Sequence, residues 1–310
     1  MFERMLIVLE PGPPAAAALG QGLALAAACH AEVVFHTGLD LSRAALAPSA
    51  TGELPLHDDL HDDLLGHARD AATGLHAQAR AQADALGLRA RSSIVAVEQA
   101  LRGIVDAAAG HHCDLIVAGC AGGPAWAGLL TGDCLPALVK ASPLPLLVCP
   151  ARALAEGTAA APVRRILVVL EPGDAGAAVL GTAIELAGAL AAELLLVHVT
   201  PNQAVLWLDV EAFVGGASDQ VADEIHRQSQ RLLAESASLA SRSGLSAQGV
   251  SLPSCTSGKD LARLAAARAC DLVVVAQHRG PALLRLLGGT LVPGLVSAAA
   301  APVLVCRVSG

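Results

Sequence analysis

The sequence predicts an α/β chain of two tandem, doubly wound, five-stranded parallel-sheet domains, and three observations carry that prediction. The chain repeats itself. Leu6-Ile-Val-Leu-Glu-Pro-Gly12 returns as Leu167-Val-Val-Leu-Glu-Pro-Gly173, Cys113-Asp-Leu-Ile-Val117 as Cys270-Asp-Leu-Val-Val274, and Pro145-Leu-Leu-Val-Cys149 as Pro302-Val-Leu-Val-Cys306, in the same order and at nearly the same spacing. The apolar segments are short continuous runs of Ile, Leu and Val rather than alternating patterns, as expected of strands buried on both faces. Helical stretches lie between consecutive runs and supply the crossovers that parallel strands need.

In the first half a strand near Met5–Leu9 leads to an Ala-rich helix from about Pro14 to Cys29. A strand at Glu32–His36 follows, then a loop over Thr37–Pro55 and a long helix from about Leu56 to Leu86. Next come a strand near Arg89–Val95, a helix from Glu98 to Ala109 and a strand at Asp114–Ala118. A glycine-rich loop leads to a helix near Cys134–Ala141 and a last strand, Leu144–Cys149. The second half repeats the plan, with its long helix at about Ser218–Ser243 and its own long loop at Thr200–Gly216. Domain one is expected over 1–150, a linker over 151–162 that is rich in Ala, and domain two over 163–310. Ligands of such sheets sit beyond the carboxyl ends of the strands. The positions to examine are therefore Glu10 and Glu171 after strand one, and Gly119 and Ala276 onward after strand four.

Composition narrows the function. With 54% hydrophobic and 15% charged residues the chain is no disordered protein. Three Phe, no Tyr and a net charge of -8 argue against a nucleic-acid surface, which needs aromatic platforms and a basic stripe. Ala177 to Val199 is long and apolar enough to suggest a membrane span, but Glu185 and Glu193 interrupt it, and a helix followed by a strand explains it better. The amino terminus runs straight into a strand without a signal-peptide pattern, so a cytoplasmic protein is expected. The eight cysteines include no C-x-x-C pair and read as buried core thiols.

After strand four of the first half stand Gly119-Cys-Ala-Gly122, nine residues, and then Gly132-Asp133. This resembles the signature of the universal stress protein family: Gly, two residues, Gly, nine residues, Gly, then Ser or Thr. The flanking Asp114-Leu-Ile-Val-Ala-Gly119 and Pro145-Leu-Leu-Val, and a first strand ending in Glu10-Pro-Gly12, resemble that family too, and the resemblance runs through both halves. It implies a Rossmann-like fold whose halves pair through their last strands within a tandem chain, leaving room for a homodimer. It also implies a stress-response protein, with ATP bound in one branch of the family and absent in another, accompanied by Mg where bound. Glycines let backbone N–H groups approach phosphates, and a helix N-terminus favours anions. The acid after strand one would meet the nucleoside end.

Both copies depart from the pattern. The first half places Asp133 where a hydroxyl is expected; a carboxylate there caps a helix well and repels phosphate unless a metal bridges the two. The second half keeps Gly289-Thr290 but carries Ala276 and Arg279 in place of the first two glycines. Arg279 either pairs with a phosphate or fills its space. Glu10 and Glu171 replace the more usual Asp. The nucleotide-contacting set expected from the resemblance is thus Glu10, Gly119, Gly122, Gly132, Asp133, Glu171, Arg279, Gly289 and Thr290.

Other constellations are weaker. His57 and His61 lie one helical turn apart and could hold a metal, but Leu56, Leu60 and Leu64 mark the neighbouring stripe as the buried one, so a solvated face is the favoured reading. His111-His112 suits a helix end. Ser257-Gly-Lys-Asp260 lacks the glycine of a phosphate loop and reads as a helix cap. Trp126 and Trp207 fall in loops near the expected cleft, with core packing as the default for each. No nucleophile elbow or adenylating motif is present. The expectation is a non-catalytic binder of ATP or a related nucleotide. The alternative is a protein-interaction scaffold without nucleotide and with an unknown protein partner, and a slow ATP hydrolase is the weakest reading.

Overall fold

The computed structural model describes residues 1–10, 13–40, 58–97, 99–121, 135–151, 162–200, 218–253, 256–279 and 291–309. The chain forms two compact units, Phe2–Ala161 and Pro162–Gly310. In the first, the described elements are β1 (Arg4–Val8), α1 (Pro13–Cys29), β2 (Glu32–Asp40), α2 (Asp58–Ala85), β3 (Ala90–Val97), α3 (Ala100–Gly110), β4 (Leu115–Cys120), α4 (Leu135–Ala141) and β5 (Leu146–Pro150). Its strands run parallel in the order β3-β2-β1-β4-β5. In the second they are β6 (Arg165–Leu170), α5 (Asp174–Leu190), β7 (Glu193–Val199), α6 (Ser218–Arg242), β8 (Ala247–Leu252), α7 (Gly258–Ala267), β9 (Leu272–Arg279), α8 (Leu291–Ala298) and β10 (Val303–Ser309). The order there is β8-β7-β6-β9-β10, again parallel. The doubly wound α/β plan read from the sequence is the plan of the protein.

The central strands are buried as their apolar runs predict. Met5, Leu6 and Ile7 of β1 and Leu115, Ile116 and Val117 of β4 are fully buried. Strand β3, at the edge of its sheet, departs from the continuous-run expectation: Ser93 alone is buried, and Arg91, Ser92, Val95 and Ala96 are open to solvent. Strand β2 runs past His36 to Asp40 because Gly38, Leu39 and Asp40 find partners in Val95, Ala96 and Val97. The start of the expected loop is therefore strand, and residues 41–57 lie outside the described part.

Right-handed crossovers put α1 and α2 on one face and α3 and α4 on the other. Helix α1 lies close to the sheet because it is built from small residues. A methyl on Gly22 would stand 2.6 Å from Ile7 Cδ1 and 3.3 Å from Val117 Cγ1. Helix α2 is amphipathic, presenting Ala72, His76, Ala79 and Ala83 at helical spacing to the sheet and polar residues to water.

At the amino ends of the strands each unit carries the same polar clamp. Asp114 accepts hydrogen bonds from the Glu3 and Arg4 amides at 2.6 and 3.1 Å. Arg4 in turn donates to Glu32 Oε2 at 2.8–3.0 Å and to the His111 carbonyl at 2.9 Å. In the second unit Asp271 accepts from the Arg164 and Arg165 amides at 2.8 and 3.0 Å. Arg165 donates to Glu193 at 2.9 Å and to the Arg268 carbonyl at 2.8 Å. The hydrogen bond from Arg4 holds the Glu32 carboxyl below the usual carboxylate range. Replacing Asp114 or Asp271 by Ala leaves two strand amides without their acceptor. We expect a loss of about 1–2 kcal/mol in either unit, below the full value of charged hydrogen bonds because the sites are partly exposed. Urea titration followed by circular dichroism measures it, and Asn at either position should recover about half.

Candidate functional site

In the order β3-β2-β1-β4-β5 the chain reverses its direction of travel between β1 and β4, and the switch point of the first unit lies at their carboxyl ends. Val8 at the end of β1 and Ala118 on β4 point to the α3–α4 face, one residue beyond the Ile7–Val117 pair. Above them a small cleft opens to solvent, with a cavity volume of about 30 Å³. Glu10 and Val8 line it from β1, Pro14 and Ala15 from the start of α1, and Ala118 and Gly119 from β4. Ile104 of α3 and Leu135 and Leu138 of α4 complete the wall. Glu10 is exposed at the rim and is the one charged residue among the described lining.

Gly119 has a structural reason to be glycine before any ligand is considered. A side chain there would run into the backbone carbonyl of Pro14, so the end of β4 and the first turn of α1 approach as closely as they do only because no Cβ intervenes. That approach brings Glu10 and Gly119, more than a hundred residues apart in sequence, to the same cleft.

The rest of the expected set divides. Glu171 follows β6 at the corresponding place in the second unit and is half-buried. Arg279 is the last residue of β9, level with Ser309, so it belongs to a strand rather than to a loop. Gly122, Gly132, Asp133, Gly289 and Thr290 lie outside the described residues, as do Trp126, Trp207 and His57. His61 lies on α2, its side chain outside the described part. Among the described residues no three His, Cys, Asp or Glu side chains gather as a metal set. Ser257 and Asp260 form a reciprocal cap at the start of α7: Ser257 Oγ accepts from the Asp260 amide at 3.3 Å and Asp260 accepts from the Ser257 amide at 3.0 Å. Burial pushes the Cys113 and Cys270 thiols up to about 11 and Cys306 to about 12, as expected of core thiols.

Two buried residues outside the cleft lining went unnoticed in the sequence. His36 and His76 are both buried, on opposite faces of β2. Thr37 donates its hydroxyl to the Leu9 carbonyl at 2.6 Å, so its oxygen must accept from His76 Nε2 at 2.9 Å. That fixes the His76 tautomer and leaves Nδ1 buried without a partner. His36 Nδ1 meets Ser93 Oγ at 3.3 Å, while Nε2, on the side of Gly38, has none. Burial lowers both, His36 to about 4, with the fields of His76 and His111 adding to the effect there. The signal available was a histidine directly after the apolar run Val33–Phe35, which places it inside a strand. In the second unit the corresponding positions are Val197 and Leu233, both buried.

These histidines make the first unit sensitive to acid. The folded value of His36 lies below its unfolded value near 6.5, so its contribution is intact above that pH. It is lost as pH falls toward 4, to the extent of about 3 kcal/mol at the full shift. Hydrogen exchange of the β2 amides between pH 7 and pH 4 should show that loss. His36→Val, which copies the second unit, should flatten it; an unchanged pH profile in the variant would count against this account.

Comparison with known proteins bears on the whole chain. The Universal stress protein family matches it twice, over residues 1–150 and 162–307. Among solved structures, a universal stress protein from Archaeoglobus fulgidus DSM 4304 aligns with a TM-score of 0.69 at 14% identity, covering 98% of this chain and 96% of that one. A protein of unknown function from Pseudomonas aeruginosa PAO1 aligns with a TM-score of 0.60 at 16% identity, covering 99% and 92%. At such identities the likeness is one of fold. No curated protein sequence matches the chain.

Proposed function

The chain belongs to the universal stress protein family, and on that footing we propose that its first unit binds ATP or a related nucleotide, with magnesium, in the cleft between β1 and β4. The observation that carries the reading is the meeting of Glu10 and Gly119 at one open cleft at the switch point. Apolar walls such as Val8, Ile104 and Leu138 suit a base and sugar. Glu10 at the rim can accept from ribose hydroxyls. The chain leaving Gly119 carries Gly122 and Gly132 for close backbone approach to phosphates and Asp133 for a bridging magnesium. We read the protein as a cytoplasmic stress-response binder rather than an enzyme, since the sequence carries no nucleophile elbow or adenylating motif. No helix among the described residues is long and apolar enough to cross a membrane.

A second reading, a scaffold that takes no nucleotide, is favoured by charge: Glu10 and Asp133 are both acids, in a chain of net charge -8. Calorimetric titration decides between the two. On the nucleotide reading ATP binds saturably, more tightly with magnesium, and Gly122→Arg abolishes the heat. No heat, together with no nucleotide carried through purification, would leave the scaffold reading standing. Phosphate release from ATP should be no faster than in a Gly132→Arg variant; a clear excess would make the protein a hydrolase.

A further inference from the structure

The second unit offers a built-in comparison, because Cys113 with Cys270 and Pro145 with Pro302 set the two copies in register. By that register Val275 of β9 stands where the first cleft has Ala118, and Ala276 where it has Gly119. Both second-unit residues are almost wholly buried, as Ala118 is, so the difference is one of bulk. The floor of the second switch point therefore carries three more side-chain carbons than the first.

The wall changes too. By the same register, α7 and α8 have Gly258 and Gly294 where α3 and α4 have Leu101 and Ala137. A methyl on Gly258 would run into the Leu291 carbonyl and the Leu295 amide, so the two helix backbones are in direct contact. A methyl on Gly294 would meet only ordinary contacts, the nearest at 3.5 Å. Val292 and Leu295 of α8 and Leu261 of α7 are buried, as are their first-unit counterparts Leu135, Leu138 and Ile104, so the difference between the walls lies in the helix contact at Gly258. The first turn of α7 is already served by its own acid, since the Asp260 carboxylate closes the Ser257 cap, whereas Gln99 before α3 makes no side-chain cap. Hydrogen bonding to Ser257 holds the Asp260 carboxyl below its usual range, so a negative charge stands at that helix end.

We propose that the second unit's counterpart of the cleft is packed shut, by Val275, Ala276 and the α7–α8 contact at Gly258, so that the chain takes one nucleotide, in its first unit. The choice of ligand rests on the nucleotide reading above; the closure does not. Two switch points of one fold then serve different ends. One is open for a ligand, and the other is a filled support.

The closure is tested without ligand by two alanine substitutions. Ala is the better helix former at either glycine, so propensity alone would stabilise both variants. Crowding predicts otherwise: Gly258→Ala should lower the melting temperature by several degrees and speed hydrogen exchange in α7 and α8, while Gly294→Ala should hold or raise it. Equal behaviour of the two variants would overturn the closure. Occupancy is tested by titrating the full chain with ATP and magnesium. One equivalent, lost in Gly122→Arg and retained in Gly289→Arg, is expected. Two equivalents, or one that survives Gly122→Arg, would overturn confinement to the first unit. No binding at all would end the nucleotide reading of the first unit and leave the closure to be decided by the glycine pair.

Discussion

The strand order of each unit depends on a constraint at the end opposite the site. Strands β1 and β4 are neighbours in space but far apart in the chain, and nothing local sets their relative register. Asp114 does so by accepting from the amides of Glu3 and Arg4. A parallel strand rises about 3.3 Å per residue, and a one-residue slip turns every side chain to the other face. The register set by the clamp is therefore what brings Glu10 level with the end of β4 at the opposite edge. Arg4 extends the clamp sideways to Glu32 and the end of α3, so one cluster of charges aligns β1, β2 and β4 together. Asp271 and Arg165 do the same for β6, β7 and β9. The cost of partly desolvating these charges is kept low by leaving the cluster near the surface.

Close packing does the rest, and it explains a composition so rich in Ala and Gly. A core with three Phe and no Tyr cannot fill wide gaps with large rings. It must bring backbones near one another instead, as at Gly22 on Ile7 and at Gly119 against Pro14. Interiors are dense enough that such contacts are all or nothing. Gly119, which looks like a ligand-binding residue, is thus partly the consequence of how α1 sits on its sheet.

Much of the fold was legible because its signals are physical necessities. Buried parallel strands must be continuous apolar runs, and β1, β4, β6 and β9 are. The repeat then carried the plan from one half to the other. Less legible were the features decided by neighbours. The edge strand β3 is largely exposed because it has a neighbour on one side only within its unit, and β2 outlasts its apolar run because β3 offers partners as far as Val97. In the site, Glu10 and Gly119 could be placed from topology alone. His36 and His76 could not, since a buried histidine is recognised by what surrounds it, and Thr37, Ser93 and Leu9 come from β2, β3 and the residue after β1. The dual role of Gly119 was hidden for the same reason: the atom that demands glycine belongs to Pro14.

The two units agree where the sheet is aligned and differ where a ligand would enter, and the difference has a mechanical logic. The clamp acids, the strand registers and the left-handed residues that end α1 and α5, His30 and Ala191, recur at matching places. Changes at the switch point leave that framework untouched because they lie at the far ends of the strands. Moving bulk onto the floor at Val275 and Ala276 and removing it from the wall at Gly258 are compensating steps. Either alone would leave a void or a clash, and together they let α8 settle onto α7. A fold whose register is set at one end can in this way open or close its other end by a few side chains.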